Sequence, residues 1–242
     1  MDRFYISPDC WSPDDLRLTG EEGHHAVRVM RKKPGDRIEV FDGKGRWARG
    51  VVFTCERSEL SLTCEEEGSS AAVSPQVNLA VAIPKGKTMD LIVQKAVELG
   101  VNGIQPLTTR NTVVKISPKE GAEKSQKWQR VALEACKQCG QNDLPTVAPV
   151  ASLETFLQNS GDGARVIASL APGAVPVRDH LESLPATCSQ VSFLVGPEGD
   201  FTSDEIAAAI DRGFHPVTLG DIVLRVETAC MFLVSAARYR FS

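Results

Sequence analysis

The reading of this chain turns on Val191-Ser-Phe-Leu-Val-Gly-Pro-Glu-Gly-Asp-Phe201 and on Val217-Thr-Leu-Gly-Asp-Ile-Val-Leu-Arg-Val-Glu-Thr-Ala-Cys-Met-Phe-Leu-Val234. Both stretches share one grammar: a short apolar run of strand length, a glycine-bearing loop, and an acidic residue opening a helix. Val191 to Val195 is stopped by Gly196-Pro197, and Ser203-Asp204 stands where an N-cap is expected before the Ile206–Ile210 run that Gly213 closes. Val217-Thr218-Leu219 ends at Gly220, with a helix expected from about Glu227. Strand ends feeding such loops are where open α/β sheets bind ligands. A lone glycine there serves a tight turn; two neighbouring loops carrying carboxylates and an arginine point to a site. Gly-Pro-Glu-Gly is not a phosphate loop, and the chain lacks Gly-x-Gly-x-x-Gly.

Working outward, Val77–Ile83, the amphipathic Met89–Leu99 and Val101–Leu107 form a strand, a helix closed by Gly100, and a strand, hence a βαβ unit of a parallel sheet. Lys85, Lys87 and Arg110 stand at the C-terminal ends of these strands and are phosphate-contact candidates or members of solvated loops. A helix is expected from about Glu123 to Gly140. Its Cys136-x-x-Cys139 closes a helix and has no second pair, so it reads as packing, with neither a zinc nor a redox role. Further on, Leu153–Leu157 suits a short helix, Arg165–Leu170 a strand ending at Ala171-Pro172-Gly173, and Pro176–Leu184 another helix. Ser169 and Leu170 thus form a third strand end.

The N-terminal seventy residues read as a small β-barrel-like module with one helix over Glu21–Met30. Arg37–Phe41, a turn at Asp42-Gly43 and Gly45, Arg46–Phe53, and Leu60–Cys64 supply its strands. Between Arg28 and Arg49, eight basic residues against three acids leave an excess of +5 in a chain of net charge −4. That segment is either a solvated face or a phosphate-tracking surface, with His25, Arg28, Arg31 and Arg46 as contact candidates. Trp47 either stacks a base or belongs to the core. His24-His25 has no ligand partner at useful spacing, so no metal is expected. Glu65 to Pro75 reads as a linker, placing modules at 1–72 and 73–242.

With 242 residues there is room for one large or two small cores. Seven scattered cysteines suggest a reducing compartment. The chain shows neither a signal-like start nor a run long enough to span a membrane, so a cytoplasmic, membrane-free protein is expected.

The residues Val195-Gly196-Pro197-Glu198-Gly199, Leu219-Gly220 and Leu224-Arg225-x-Glu227-Thr228-Ala229 resemble the trefoil-knotted (SPOUT) RNA methyltransferases, and specifically those methylating uracil N3 of small-subunit ribosomal RNA. Ile83-Pro84-Lys85-Gly86, Gln94-Lys95-x-x-Glu98-Leu99-Gly100-Val101 and Gly23–Asp36 are similar to the same family. The resemblance implies an α/β fold: a parallel sheet with a C-terminal trefoil knot, preceded by a PUA-like RNA-binding barrel. It implies S-adenosylmethionine as cofactor, a homodimer, and ribosomal RNA or the small ribosomal subunit as partner. The implied cofactor residues are Ser169, Leu170, Leu194, Val195, Gly196, Gly199, Leu219, Gly220, Ile222, Val223 and Leu224. Two residues are expected at the chemistry. Either a carboxylate such as Glu198 accepts the uracil N3 proton, or Arg225, the favoured group, stabilises the developing anion. Glu227 pairs with Arg225 or caps its helix. Gln141, Asp200, Ile222 and Val226 depart from the family pattern. They motivate the alternative of a ribosome-associated RNA-binding protein without efficient catalysis; a nucleotide hydrolase is disfavoured by the missing phosphate loop.

Overall fold

The computed structural model describes residues 1–71, 73–171 and 173–241, so Ala72 of the expected linker and Pro172 of the expected third strand end lie outside the described residues. The chain divides into two compact units, Met1–Ala72 with Leu133–Leu144, and Val73–Ala132 with Pro145–Ser242.

The first unit is built on a five-stranded sheet of β1 (Asp2–Tyr5), β2 (Leu16–Leu18), β3 (Arg37–Phe41), β4 (Arg46–Glu56) and β5 (Glu59–Ser69), in the order β1-β3-β4-β5-β2. Phe4 on one edge strand and Leu16 and Leu18 on the other meet Ile38, Val40, Ala48, Val52 and Leu60 in one core, so the sheet is curled rather than flat. Two register shifts between β4 and β5, at Arg49/Gly50 and Val52/Thr54, add the twist this needs. Gly50 is obligatory at the first, since a Cβ there would lie 2.3 Å from Thr63 O. Helix α1 (Gly20–His24) runs directly into a π-helical turn over His25–Val29, where one continuous helix was expected.

The expected linker is a second correction. Glu65 to Ser69 belong to strand β5, with Glu66–Ser69 paired to Arg46–Arg49. Three successive glutamates look like solvated linker, yet two of them answer arginines of the same sheet: Glu65 accepts from Arg37 Nε at 3.1 Å and Glu66 from Arg49 Nη1 at 3.2 Å. Glu66 is the cross-strand partner of Arg49, and Glu65 reaches past β4 to Arg37 of β3, which composition alone does not reveal.

The second unit carries an all-parallel sheet of β6 (Gln76–Ala82), β7 (Gly103–Thr108), β8 (Thr146–Val147), β9 (Ala151–Ser152), β10 (Ala164–Ala168), β11 (Val175–Pro176), β12 (Gln190–Val195) and β13 (His215–Thr218). Its order is β11-β13-β10-β12-β6-β7-β8, with β9 also on β7. The connecting helices are α2 (Thr88–Glu98), α3 (Pro118–Cys139), α4 (Leu153–Gln158), α5 (Val177–Ser183), α6 (Ser203–Asp211) and α7 (Val226–Phe241). On one face Ala80, Leu107, Ile167 and Leu194 from the strands meet Leu153, Leu157, Ala209 and Phe214.

Two helix starts differ from expectation. Helix α3 begins at Pro118 rather than near Glu123, because Ser117 and Glu120 form its cap: Ser117 N–H donates to Glu120 Oε2 at 2.8 Å. Helix α6 is capped by Thr202, not by Ser203 or Asp204. The Thr202 hydroxyl accepts from Glu205 N–H at 3.3 Å, and the Glu205 carboxylate accepts from Thr202 N–H at 2.9 Å. Cys136 is fully buried and donates toward Asp143 O at 3.8 Å, while Cys139 is exposed, so the pair packs a helix end.

Candidate functional site

Strands β13, β10 and β12 are neighbours, in a register that pairs Ile167 with Leu194 and Ala168 with Val217. Parallel strands in register end at one edge, so the segments following Ala168, Val195 and Thr218 emerge side by side. Between them lies a cavity of about 450 Å³, within the roughly 300–1,000 Å³ of small-molecule sites. Ser169, Leu170, Val195, Gly196, Leu219, Gly220, Ile222, Val223 and Leu224 line it, joined by Lys85 from the loop after β6 and by Glu198, Asp200, Arg225 and Glu227. Of the sequence-derived cofactor positions, Leu194 lies beneath this cavity, fully buried in the sheet core, and Gly199 lies against Asn111, whose Nδ2 donates to Gly199 O at 3.1 Å.

Each lining loop is held by its own hydrogen bonds. Ser169 is 4% exposed; its N–H donates to Val217 O at 3.0 Å and its hydroxyl accepts from Ala171 N–H at 3.1 Å. A Cβ at Gly196 would be tight, 3.1 Å from the Phe201 ring, so a side chain there needs Phe201 to give way by a few tenths of an ångström. Gly220 has φ +123° and donates to the Thr218 hydroxyl at 3.3 Å. Glu198 ties two loops together by accepting from Lys85 N–H at 3.0 Å. Leu170, Ile222 and Val223 of this lining are 62%, 73% and 76% exposed, an apolar rim open to water.

The charged groups divide by their partners. Arg225 is exposed and makes no ion pair among the described residues; its carbonyl accepts the first α7 bond, from Ala229 N–H at 2.9 Å. Arg110 is not in this cavity. Its guanidinium pairs with Asp204 at 2.7 Å and its N–H donates to Glu205 Oε1 at 2.9 Å, beside a separate cleft between β7, α4 and α6. Lys87 is an exposed residue preceding α2. Sequence reasoning overlooked Asp200 as a lining residue. It stands at φ +56°, with Oδ1 accepting Phe201 N–H at 2.7 Å. The signal was present in the sequence: Asp follows Gly199 in the loop, and Asp is among the few residues that tolerate that conformation.

In the first unit half of the basic residues between Arg28 and Arg49 are answered by acids. Lys32 pairs with Asp2, Arg46 with the fully buried Asp42 at 2.6 Å, and Arg49 with Glu39 at 2.7 Å. His25 packs edge-on against Phe4, ring centroids 6.2 Å apart. Trp47 is half-buried: Gly68 lies so close that a Cβ would be 2.7 Å from its ring, and the Arg49 guanidinium covers it at 4.8 Å. Arg28, Arg31, Lys33 and Lys44 are exposed and have no ion pair among the described residues.

The sequence pattern of the RNA methyltransferase domain matches residues 72–238, and that of the RNA methyltransferase PUA domain matches residues 18–62. This chain belongs to the RNA methyltransferase family. The cavity and its loops fall inside the methyltransferase match, and the curled five-stranded sheet contains the PUA match. Within the family, the chain is 30% identical to ribosomal RNA small subunit methyltransferase E of Bacillus subtilis over 92% of its length and 89% of the relative's. It is 32% identical to the protein of that name from Synechocystis, covering 94% of this chain and 74% of that one. A solved ribosomal RNA small subunit methyltransferase E from Neisseria gonorrhoeae, bound to S-adenosyl methionine, superposes with a TM-score of 0.87 at 29% identity, covering 99% of this chain and 97% of that one.

Proposed function

We propose that this protein transfers a methyl group from S-adenosylmethionine to N3 of a uracil in small-subunit ribosomal RNA. The observation that carries the reading is the cavity at the ends of β10, β12 and β13, which unites an unpaired arginine with main-chain-lined loops. The residues fit the cofactor: Leu170, Val195, Leu219 and Leu224 offer apolar walls for an adenine, and Gly196 and Gly220 let main-chain groups approach a bent ligand.

S-adenosylmethionine supplies an electrophilic methyl group, so the protein's task is to position N3 and to handle its proton. Uracil N3 gives up its proton as the N3–methyl bond forms. Glu198 uses one oxygen to hold Lys85 N–H, leaving the other to accept that proton. Arg225 faces the negative charge that spreads over N3 and the flanking carbonyl oxygens, and with no carboxylate neutralising it, its full charge acts there. Residues 1–72 supply RNA affinity, and residues 73–242 the chemistry. A trefoil-knotted arrangement of the three loops, a homodimer whose second copy covers the Leu170, Ile222 and Val223 rim, and a cytoplasmic location complete the reading. The exposed apolar rim supports the dimer.

The test is incubation of the protein, small-subunit rRNA and methyl-labelled cofactor, followed by nucleoside analysis. Label in 3-methyluridine is expected. Label in another nucleoside, or none with a cofactor-binding protein, overturns the assignment.

A further inference from the structure

Four unusual features coincide at one tip of the first unit. The turn over His25–Val29 is π-helical, a form seen mostly as short turns at functional sites. Val29 and Met30 leave it 59% and 41% exposed, two adjacent apolar side chains in water. Arg31 follows at φ +54°, in the left-handed region, capping the turn through Lys32 N–H donating to Ala26 O at 3.0 Å. Glycine is the favoured residue at such a cap, and an arginine there gains no compensating local bond. Finally, Arg28, Arg31 and Lys33 are exposed cations without an ion pair among the described residues, whereas Lys32 beside them is paired with Asp2. A second arginine in left-handed conformation, Arg57 at φ +48°, tops the adjoining β4–β5 hairpin, whose Cys55 thiol donates to Lys32 O at 3.2 Å.

A purely structural tip would not keep this combination. Glycine at position 31 relieves the backbone, and polar residues at 29 and 30 remove apolar surface from water. The geometry points to a two-part RNA reader, in which Arg28 and Arg31 hold phosphates and Val29 and Met30 lie against an unstacked base. Apolar side chains that fill the gap between bases are a known means of keeping a nucleic acid distorted. Uracil N3 is on the pairing edge of its base, so the RNA this protein acts on has to offer unpaired bases, which is the form an apolar contact selects. The inference rests on the reading of the first unit as RNA-binding and adds to it a division of labour. The cations supply a salt-dependent part of affinity, and the apolar pair a salt-independent part.

The division is measurable with full-length protein and a small-subunit rRNA transcript, by filter binding across a salt series with thermal melting in parallel. V29S/M30S is expected to weaken binding about tenfold with the salt slope and melting temperature unchanged. R31G is expected to lower the slope by about 0.7 while raising the melting temperature by about 2 °C. Opposite signs on binding and stability are the signature of a strained functional residue. Binding by V29S/M30S within twofold of wild type overturns the base contact, as does a loss accompanied by a lower melting temperature. A destabilised R31G overturns the strain argument. If the wild type binds no RNA, the RNA-binding reading of the first unit falls as well; if it binds and V29S/M30S binds equally, only the present inference falls.

Discussion

Arg225 is the residue on which the proposed chemistry rests. Its guanidinium has no carboxylate partner among the described residues, while Arg110, at the end of a nearby strand, is committed to Asp204. Arg225→Ala is therefore expected to reduce kcat by about 10²–10³-fold while leaving cofactor affinity within twofold, as single-turnover kinetics and calorimetry would report. An equal loss of both would mean that Arg225 shapes the loop rather than stabilising charge. Asp200 makes a separate, structural prediction. Its side chain accepts Phe201 N–H while the backbone is left-handed. Asp200→Ala keeps the backbone strain and loses the acceptor, so it should cost about 1–2 kcal/mol. Asp200→Gly loses the acceptor but relieves the strain and should stay within about 0.5 kcal/mol of wild type. Denaturant midpoints of the two variants distinguish these outcomes.

At the scale of elements, the capping box of α6 is a local device with a local effect. Thr202→Ala should cost about 1 kcal/mol in chemical denaturation, and Glu205→Ala should also free Arg110 N–H. Helix α5 carries a pH-dependent element. His180 lies against His215, with ring centroids 4.9 Å apart and a buried Nε2 that has no partner among the described residues. Burial, and secondarily the His215 charge, hold its pKa below the ordinary value of 6.5. The unfolded chain therefore binds a proton that the fold resists. Stability should be flat above about pH 6.5 and fall as pH drops from there toward the lower folded value. A melting series from pH 8 to 5 should show this decline in the wild type and a weaker one in His180→Gln.

Most elements were legible because their signals are local. The apolar run Val191–Val195 is a strand, the amphipathic Met89–Leu99 is a helix closed by Gly100, and the three strand ends that line the cavity could be named from their glycines. What was illegible depends on partners distant in sequence. Glu65 and Glu66 read as linker until Arg37 and Arg49 of the same sheet answered them. Leu194 was named from the family resemblance alone, and its packing against the α4–α6 layer depends on residues distant in sequence. The Thr202-x-x-Glu205 and Ser117-x-x-Glu120 boxes were present in the sequence and outweighed by more conspicuous neighbours.

At the scale of the whole molecule, the seven cysteines are free thiols in contrasting settings. Cys10 and Cys139 are exposed, whereas burial pushes the Cys136 thiol up to about 12 and that of Cys230 higher still. A thiol reagent at pH 8 should modify Cys10 and Cys139 quickly and leave Cys136 and Cys230 untouched until denaturant is added, as peptide mass mapping would show. Rapid loss of the Cys136 thiol would mean that the end of α3 opens far more readily than its packing indicates.

The central claim is that the cavity at the ends of β10, β12 and β13 is the cofactor site. Calorimetric titration of S-adenosylmethionine into the wild type and Gly220→Trp tests it most directly. Apart from its chain neighbours, no atom of the described residues lies within 4 Å of where a Cβ at Gly220 would be, so the cost of the indole is the backbone strain at φ +123°, which the folding control monitors. The account predicts saturable binding to the wild type and none to a Gly220→Trp variant that retains the wild-type circular dichroism spectrum. Equal binding by both proteins, or no binding by a folded wild type, would contradict it.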